Sequence, residues 1–219
     1  MSTTTPLRGL KSRPTDGTVH GSTQMKRRKF LQSTAAAGLS ASPLGRALRA
    51  DEPLTLTPQD YEGPYYPVGA PNHTNELIIG EPQAQVLTLR GQVVDVHGNP
   101  YKGALVDIWH TDPLGRYKHP RDSSAGKRWD SFLYWGEALV DDGGHFEFRT
   151  YIPGAYGRRP AHIHYKVWQR KKLRLTSQIY FKELGGTRGA SRSPSLGDLQ
   201  IVSLAPHGDG LKTYLQVVI

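Results

Sequence analysis

The amino-acid sequence predicts an all-β protein, a β-sandwich of short strands with an extended N-terminal arm and long loops. From about residue 86 onwards, apolar and polar residues alternate with a period of two, which is typical of half-buried strands. Clusters of Gly, Pro, Asp and Asn separate these segments, as at residues 97–100 and 207–210. No segment carries a 3.6-residue apolar stripe longer than two turns. Many short strands at this spacing favour a sandwich.

The chain divides into three predicted parts. Residues 1–50 form an upstream segment with an export signal, residues 51–82 form the arm, and residues 83–219 form the sandwich domain. The arm is predicted to be extended because Leu54–Pro82 contains five prolines. Strands are predicted at Val86–Val96, Ala104–His110, Ala138–Val140, His145–Tyr151, Ala161–Trp168, Leu175–Phe181, Gln200–Leu204 and Thr213–Ile219.

The formal charge of +9 is concentrated in the first fifty residues, which carry nine Lys or Arg and one acid. The remaining 19 basic and 18 acidic residues nearly balance. A nucleic-acid partner would require a basic surface on the folded domain itself, so we expect none. The absence of cysteine excludes disulfides, thiolate nucleophiles and thiolate metal ligands.

Residues 25–50 have the parts of an export signal: a basic segment, a short weakly apolar stretch at 33–41 and the small residue Ala50 at the end. Arg27 and Arg28 directly precede Phe30-Leu31, which indicates the twin-arginine route. We therefore expect an exported protein, periplasmic or extracellular. The apolar stretch is too short to span a bilayer, so we expect no membrane span. The alternative interpretation of these residues is a disordered basic tail.

The sharpest chemical feature is His162-Ile-His164. On a strand both imidazoles project from the same face, with their Cα atoms about 7 Å apart, which suits two ligands of one ion. Tyr156 lies in the loop just before this strand, and Tyr117 lies in a turn that follows another predicted strand. A His-x-His pair in a strand is by itself weak evidence, because most such pairs have no metal.

Tyrosine is a poor ligand for most metals because the pKa of a phenol is near 10. A hard, highly charged cation can keep the phenolate ionised at neutral pH, and ferric iron is the natural candidate. Zinc prefers Cys, His and carboxylate ligands, and magnesium or calcium prefer carboxylate and carbonyl oxygens. A zinc or ferrous enzyme would require a carboxylate at ligand spacing beside the histidines, and the sequence has none there.

Six segments of the chain resemble the intradiol ring-cleavage dioxygenases, and in particular their protocatechuate 3,4-dioxygenase-like branch. These segments occur in the order of that family: residues 57–66, 103–110, 115–117, 146–150, 159–164 and 175–181. The resemblance implies a non-haem Fe(III) dioxygenase with one Fe(3+) per chain. It implies cleavage of catechol-type rings between the two hydroxyl-bearing carbons, with O2, to cis,cis-muconate-type products. The partners would be a small aromatic diol and O2. A homo-oligomer is compatible with the resemblance.

Carried over residue by residue, the resemblance implies the following sites. The metal ligands would be Tyr117, Tyr156, His162 and His164, with Tyr156 and His164 axial. The catalytic residues would be Arg159, facing the substrate, Gln178 in the next strand, and Tyr156, which helps to accept a proton. The substrate-binding residues of the arm would be Gly63, Pro64 and Tyr65.

Other interpretations of these residues remain open. Arg159 could be a surface ion-pair partner, Gln178 an exposed strand residue and Tyr65 a packing residue. Residues 89–108 also resemble the transthyretin-like accessory domains, which are non-catalytic sandwiches that would not need four converging ligands. Trp109 and His110 are predicted to pack in the core, and His73, His97, His119, His145 and His207 to be solvated. Five residues separate Tyr156 from His162, fewer than in well-known members, which predicts a shortened pocket wall.

Overall fold

The computed structural model describes residues 52–186 and 198–219. The predicted twin-arginine signal in residues 1–50 lies outside these ranges. The strands are β1 (Val86–Val94), β2 (Ala104–Trp109), β3 (Trp135–Leu139), β4 (His145–Tyr151), β5 (His162–Gln169), β6 (Lys172–Phe181), β7 (Ile201–Val202), β8 (Ala205–His207) and β9 (Gly210–Val218). Short 3₁₀ helices lie at Lys182–Leu184 and Asp198–Gln200.

The strands form a β-sandwich, as the sequence predicts. One sheet has the strand order β4-β1-β9-β8 and the other has the order β3-β2-β5-β6-β7. Most neighbours are antiparallel, but β1 pairs with β9 and β6 pairs with β7 in parallel. Alternation along β2 and β5 directs apolar side chains such as Ile108, Ile163 and Tyr165 into the main core. The intervening residues of these strands line the other face of the five-stranded sheet, called the outer face below.

Several predicted strand bounds are wrong in detail, including the start of β6, which is Lys172 rather than Leu175 because Lys172 pairs with Gln169 of β5. β3 begins at Trp135 rather than Ala138, because it pairs with β2 from Trp109↔Trp135 to Leu105↔Leu139. The last strand begins at Gly210, since its first residues pair with β1 and β8. The segment predicted at 200–204 contains only the two residues Ile201–Val202 as a strand. In each case pairing with a neighbour, rather than the local pattern, sets the bound.

The arm runs in extended form over the sandwich. Its first part follows β9 and β6, where Thr57 donates a backbone hydrogen bond to Val218 and Asp60 donates one to Thr176. Its later part returns to the sheets, where the amide of Leu77 donates to the carbonyl of Arg149. The intervening residues 62–66 cross the outer face of the five-stranded sheet. In the described ranges, no helix is long and apolar enough to cross a membrane.

Candidate metal centre

The two histidines of β5 meet on the outer face. The Nε2 atoms of His162 and His164 lie 3.2 Å apart, and both side chains are buried. Nδ1 of His162 donates to the carbonyl of Pro160 at 2.6 Å, so Nε2 of this ring is left with its lone pair. The His164 ring stacks on Trp109 with centroids 4.9 Å apart, which fixes its plane. The strand therefore presents two oriented imidazoles at one point.

Two loops bring the tyrosines to these histidines. The Tyr156 ring centroid lies 5.4 Å from that of His162, and the Tyr117 centroid lies 5.3 Å from that of Tyr156. The loops touch at Gly115, which has a φ of +79°, and a Cβ there would lie 2.1 Å from the carbonyl oxygen of Ala155. Only glycine permits this approach. Tyr117 and Tyr156 are adjacent because of that contact.

The arm lies against the same site. Gly63 has a φ of +76°, and a Cβ there would lie 3.2 Å from Cε1 of His164. The Tyr65 ring lies 4.7 Å from Tyr117 and 5.9 Å from Tyr156, between centroids. Pro64, between them in sequence, is exposed. All three predicted substrate-binding residues thus belong to the segment that borders the four candidate ligands.

Arg159 and Gln178 are in direct contact. A turn in which the amide of Arg159 donates to the carbonyl of Tyr156 holds the arginine beside that loop. Its Nη2 donates to Oε1 of Gln178 at 2.5 Å and to the hydroxyl of Tyr180 at 2.7 Å. Gln178 is fully buried rather than exposed. Neither partner of Arg159 is charged, so its positive charge remains available to an anionic ligand.

Burial controls the ionisation of the four candidate ligands. It raises the pKa of Tyr117 well above 10, and the neighbouring Tyr156 raises it further. Burial also raises the pKa of Tyr156, against the opposing effect of Arg159. Burial lowers the pKa of His162 to about 4 and lowers that of His164 well below 6.5. The protein alone therefore holds two neutral phenols and two neutral imidazoles here at neutral pH.

Comparison with known proteins identifies the family. A family model described as "Dioxygenase" matches residues 61–184, more than half of the chain. The solved structure of an intradiol ring-cleavage dioxygenase from Tetranychus urticae is 25% identical, with a TM-score of 0.59 over 75% of this chain and 94% of that one. The chain belongs to the intradiol ring-cleavage dioxygenase family.

Other proteins that resemble this chain support the same family assignment. The dioxygenase domain of a dioxygenase carbohydrate-binding protein fusion from Streptomyces sp. SirexAA-E has a TM-score of 0.62 and 25% identity, over 75% of this chain and 98% of that one. A catechol 1,2-dioxygenase from Acinetobacter baylyi is 31% identical over 144 residues, 56% of this chain and 45% of that protein. A protocatechuate 3,4-dioxygenase beta chain from Burkholderia cepacia is 33% identical over 115 residues, 49% of each. The chain spans about half the length of these curated relatives.

The residues present fit the ferric ion that this intradiol family implies. The hydroxyl of Tyr117 is buried with no hydrogen bond of good geometry, although the phenol of Tyr156 is its neighbour, and such a group is costly unless a cation or another partner binds it. The set of two phenols and two imidazoles matches the preference of a hard ion for phenolate oxygen. Within residues 52–186 and 198–219, no group of three or more His, Cys, Asp or Glu could hold a metal.

The sequence pattern did not predict several residues around this intradiol site. Trp109 is buried as predicted, but it packs against His164 in a second aromatic cluster with Tyr117 and Trp135. Tyr180 connects Arg159 to the arm, since its hydroxyl lies 3.3 Å from Oδ2 of Asp60. The period of two could have indicated Tyr180, because it follows Gln178 by two positions and so shares its face.

The other histidines of residues 52–186 and 198–219 are not among the candidate ligands. His110 is buried between the carbonyl of Thr111 and the hydroxyl of Thr150, each 2.7 Å from a ring nitrogen, as expected for a core residue. Of the five histidines predicted to be solvated, His73, His97, His145 and His207 are exposed, but the prediction is wrong for His119, which is half-buried and packs edge-on against Tyr65 with ring centroids 5.7 Å apart. Nδ1 of His73 lies 2.8 Å from a carboxylate oxygen of Glu137, although 81% of the His73 side chain is exposed.

Proposed function

We propose that this protein is a non-haem Fe(III) dioxygenase that cleaves catechol-type rings between the two hydroxyl-bearing carbons. The convergence of two buried neutral imidazoles, one buried phenol and one half-buried phenol on one point carries the proposal. The names of its relatives, which include catechol and protocatechuate dioxygenases, support the same reaction class. The substrate would be a small aromatic diol, and the co-substrate O2.

The ligands of Fe(III) would be Tyr117, Tyr156, His162 and His164, with one ion per chain. When bound, ferric iron would act as a Lewis acid for both oxygens of the diol and make the ring reactive toward O2. His162 and His164 would bind through their Nε2 atoms, because these are the atoms that face each other. Trp109, which stacks on the His164 ring, would hold that ring in a fixed orientation.

Tyr156 is suited to proton transfer. It is half-buried, whereas Tyr117 is only 3% exposed, so Tyr156 is the phenol that a substrate can reach. Because burial raises its pKa, its phenolate is a strong base that can take the proton of a substrate hydroxyl. The nearby Arg159 partly stabilises that phenolate. Tyr156 would thus hold the proton while the deprotonated diol remains in the pocket.

Arg159 would stabilise negative charge that develops on the ring during cleavage. A preorganised cation in a water-poor site does this without reorganising. Gln178 would hold the guanidinium in place, since its Oε1 accepts from Arg159 while its Nε2 donates to the carbonyl of Tyr61. The glutamine therefore joins the arginine to the arm.

A non-catalytic, transthyretin-like module is the second interpretation that the sequence left open. A sandwich used only for binding has no need of an unpaired buried phenol or of two facing imidazoles. The arrangement at Tyr117, His162 and His164 therefore favours the enzyme. Export is a separate proposal that rests on the sequence of residues 25–50 alone.

The colour of the purified protein tests the proposed function. Phenolate-to-Fe(III) charge transfer absorbs in the visible, so protein reconstituted with iron should be reddish. Anaerobic addition of catechol or protocatechuate should shift the absorption band, and admission of O2 should yield a cis,cis-muconate-type product. A protein that stays colourless after iron reconstitution, or that releases no ring-opened product from either diol, would contradict the proposal.

Replacement of Arg27 and Arg28 by lysine tests export. The change keeps the charge but removes the paired arginines, so the precursor should remain in the cytoplasm when the gene is expressed in a bacterium with a twin-arginine pathway. Fractionation and immunoblotting measure the distribution. Arg13→Lys, which lies upstream of the signal, is the matched control and should be exported normally. Unchanged export of the Arg27→Lys, Arg28→Lys double variant would contradict the proposal.

A further inference from the structure

A lysine is buried on the outer face of the five-stranded sheet, next to the candidate metal centre. Lys166 follows His162 and His164 at alternate positions of β5 and is 4% exposed. A buried ammonium is costly unless it is paired, so its partners indicate why it is there. Nζ of Lys166 lies 2.7 Å from a carboxylate oxygen of Glu62 and 3.2 Å from the ring centroid of Tyr66.

Both of these partners belong to the arm. Glu62 and Tyr66 flank Gly63, Pro64 and Tyr65, which border the candidate ligands. The hydroxyl of Tyr66 also donates to Oδ2 of Asp107 at 3.0 Å, and Asp107 is the residue that pairs with Lys166 across β2 and β5. A cation and an anion of the sheet thus bind the two ends of a five-residue segment of the arm.

Other hydrogen bonds hold the arm on either side of this segment, up to Tyr61 and again from Asn72, whose side chain donates to the carbonyl of Trp135. Thr57 and Asp60 form backbone hydrogen bonds with β9 and β6, and Gln178 donates to the carbonyl of Tyr61. For residues 62–66, the described part of the chain shows two polar contacts with the sandwich, the ion pair of Glu62 with Lys166 and the hydrogen bond from Tyr66 to Asp107. The position of this segment therefore depends on its contacts with Lys166 and Asp107 and on ring packing.

We propose that Lys166 is a positioning residue that holds residues 62–66 of the arm across the candidate metal centre and so makes them a fixed wall of the substrate pocket. This inference rests on the proposed function. The lysine does not touch the ligands or the reacting atoms. It acts through Glu62 and Tyr66, which keep Gly63 against His164 and Tyr65 against the two phenols. Without it, the wall loosens while the four candidate ligands stay on the sandwich.

Lys166→Met tests this role, because methionine fills a similar volume without a charge, and the carboxylate of Glu62, whose side chain is 49% exposed, can be hydrated once the lysine is gone. Chymotrypsin should cut after Tyr65 about tenfold faster than in the unchanged protein, since the ion pair and the cation–π contact are both lost. KM for catechol should rise about tenfold, while kcat stays within about twofold and iron content is unchanged. Lys172→Met removes an exposed lysine of the neighbouring strand β6 and should change neither the rate of chymotrypsin cleavage nor KM.

A second variant approaches the same contact from the solvent side. Glu62 is half exposed, so Glu62→Gln cannot disturb the core, yet it should accelerate cleavage after Tyr65 in the same direction. In the Lys166→Met background it should add nothing, because the two residues act through one contact. Cleavage at the original rate in Lys166→Met, or faster cleavage with an unchanged KM, would overturn the positioning role. Absence of iron and turnover in the unchanged protein would instead contradict the proposed function, and the cleavage rates would still decide whether Lys166 holds the arm.

Discussion

Replacement of His162 by alanine should remove both bound iron and ring cleavage. His162 is a buried imidazole whose Nε2 faces that of His164, and its Nδ1 is already bonded to Pro160. The alanine side chain has no atom that can bind a metal, so only three of the four candidate ligands of the iron would remain. Loss of a residue that supports a metal ligand typically lowers the affinity for the metal about tenfold or more. Loss of a ligand itself should lower the affinity for iron at least as much, so the variant should be purified without bound iron.

Metal analysis, the visible spectrum and the rate of catechol cleavage should be measured on one preparation of the His162→Ala variant. His97→Ala, which changes an exposed histidine in a turn, is the matched control and should keep iron, colour and rate. A thermal unfolding curve separates loss of iron from loss of fold. If His162→Ala retains stoichiometric iron and normal turnover, these residues are not the metal site.

Replacement of Arg159 by alanine should lower kcat by about 10²-fold or more while iron and colour persist, because a preorganised donor stabilises charge in the transition state. The guanidinium donates to Gln178 and Tyr180 and lies beside Tyr156, but it is not a candidate ligand. Arg159→Lys keeps the charge without the planar fork, so its rate should lie between those of the alanine variant and the unchanged protein.

The neighbouring Arg158 provides the control for this experiment. It has the same charge and lies in the same turn, but its side chain is exposed. Arg158→Ala should therefore change kcat by less than about twofold, as is usual for a surface substitution away from a site. Steady-state rates with catechol and iron analysis on each variant give the comparison. Normal turnover in Arg159→Ala with retained iron would remove the arginine from the mechanism.

The sequence by itself predicted the fold class and the histidine pair. Both are encoded locally: alternation defines a strand with one buried face, and two histidines at alternate positions must share a face whatever the strand pairs with. The two tyrosines and Arg159 were assigned by resemblance to a family rather than by spacing. Their proximity to the histidines could not be derived from a pattern, because no local rule relates one loop to another.

Tertiary structure alone decided how these parts meet. Tyr117 reaches Tyr156 because Gly115 lets its turn pack against the carbonyl of Ala155. The Tyr66 hydroxyl binds Asp107 across 41 positions of the chain, and Lys166 finds Glu62 in the same arm. A charged residue in a predicted strand indicates only that a partner must exist if it is buried. Which partner it has depends on sheet register and on the path of the arm, and both are set by contacts between residues far apart in sequence.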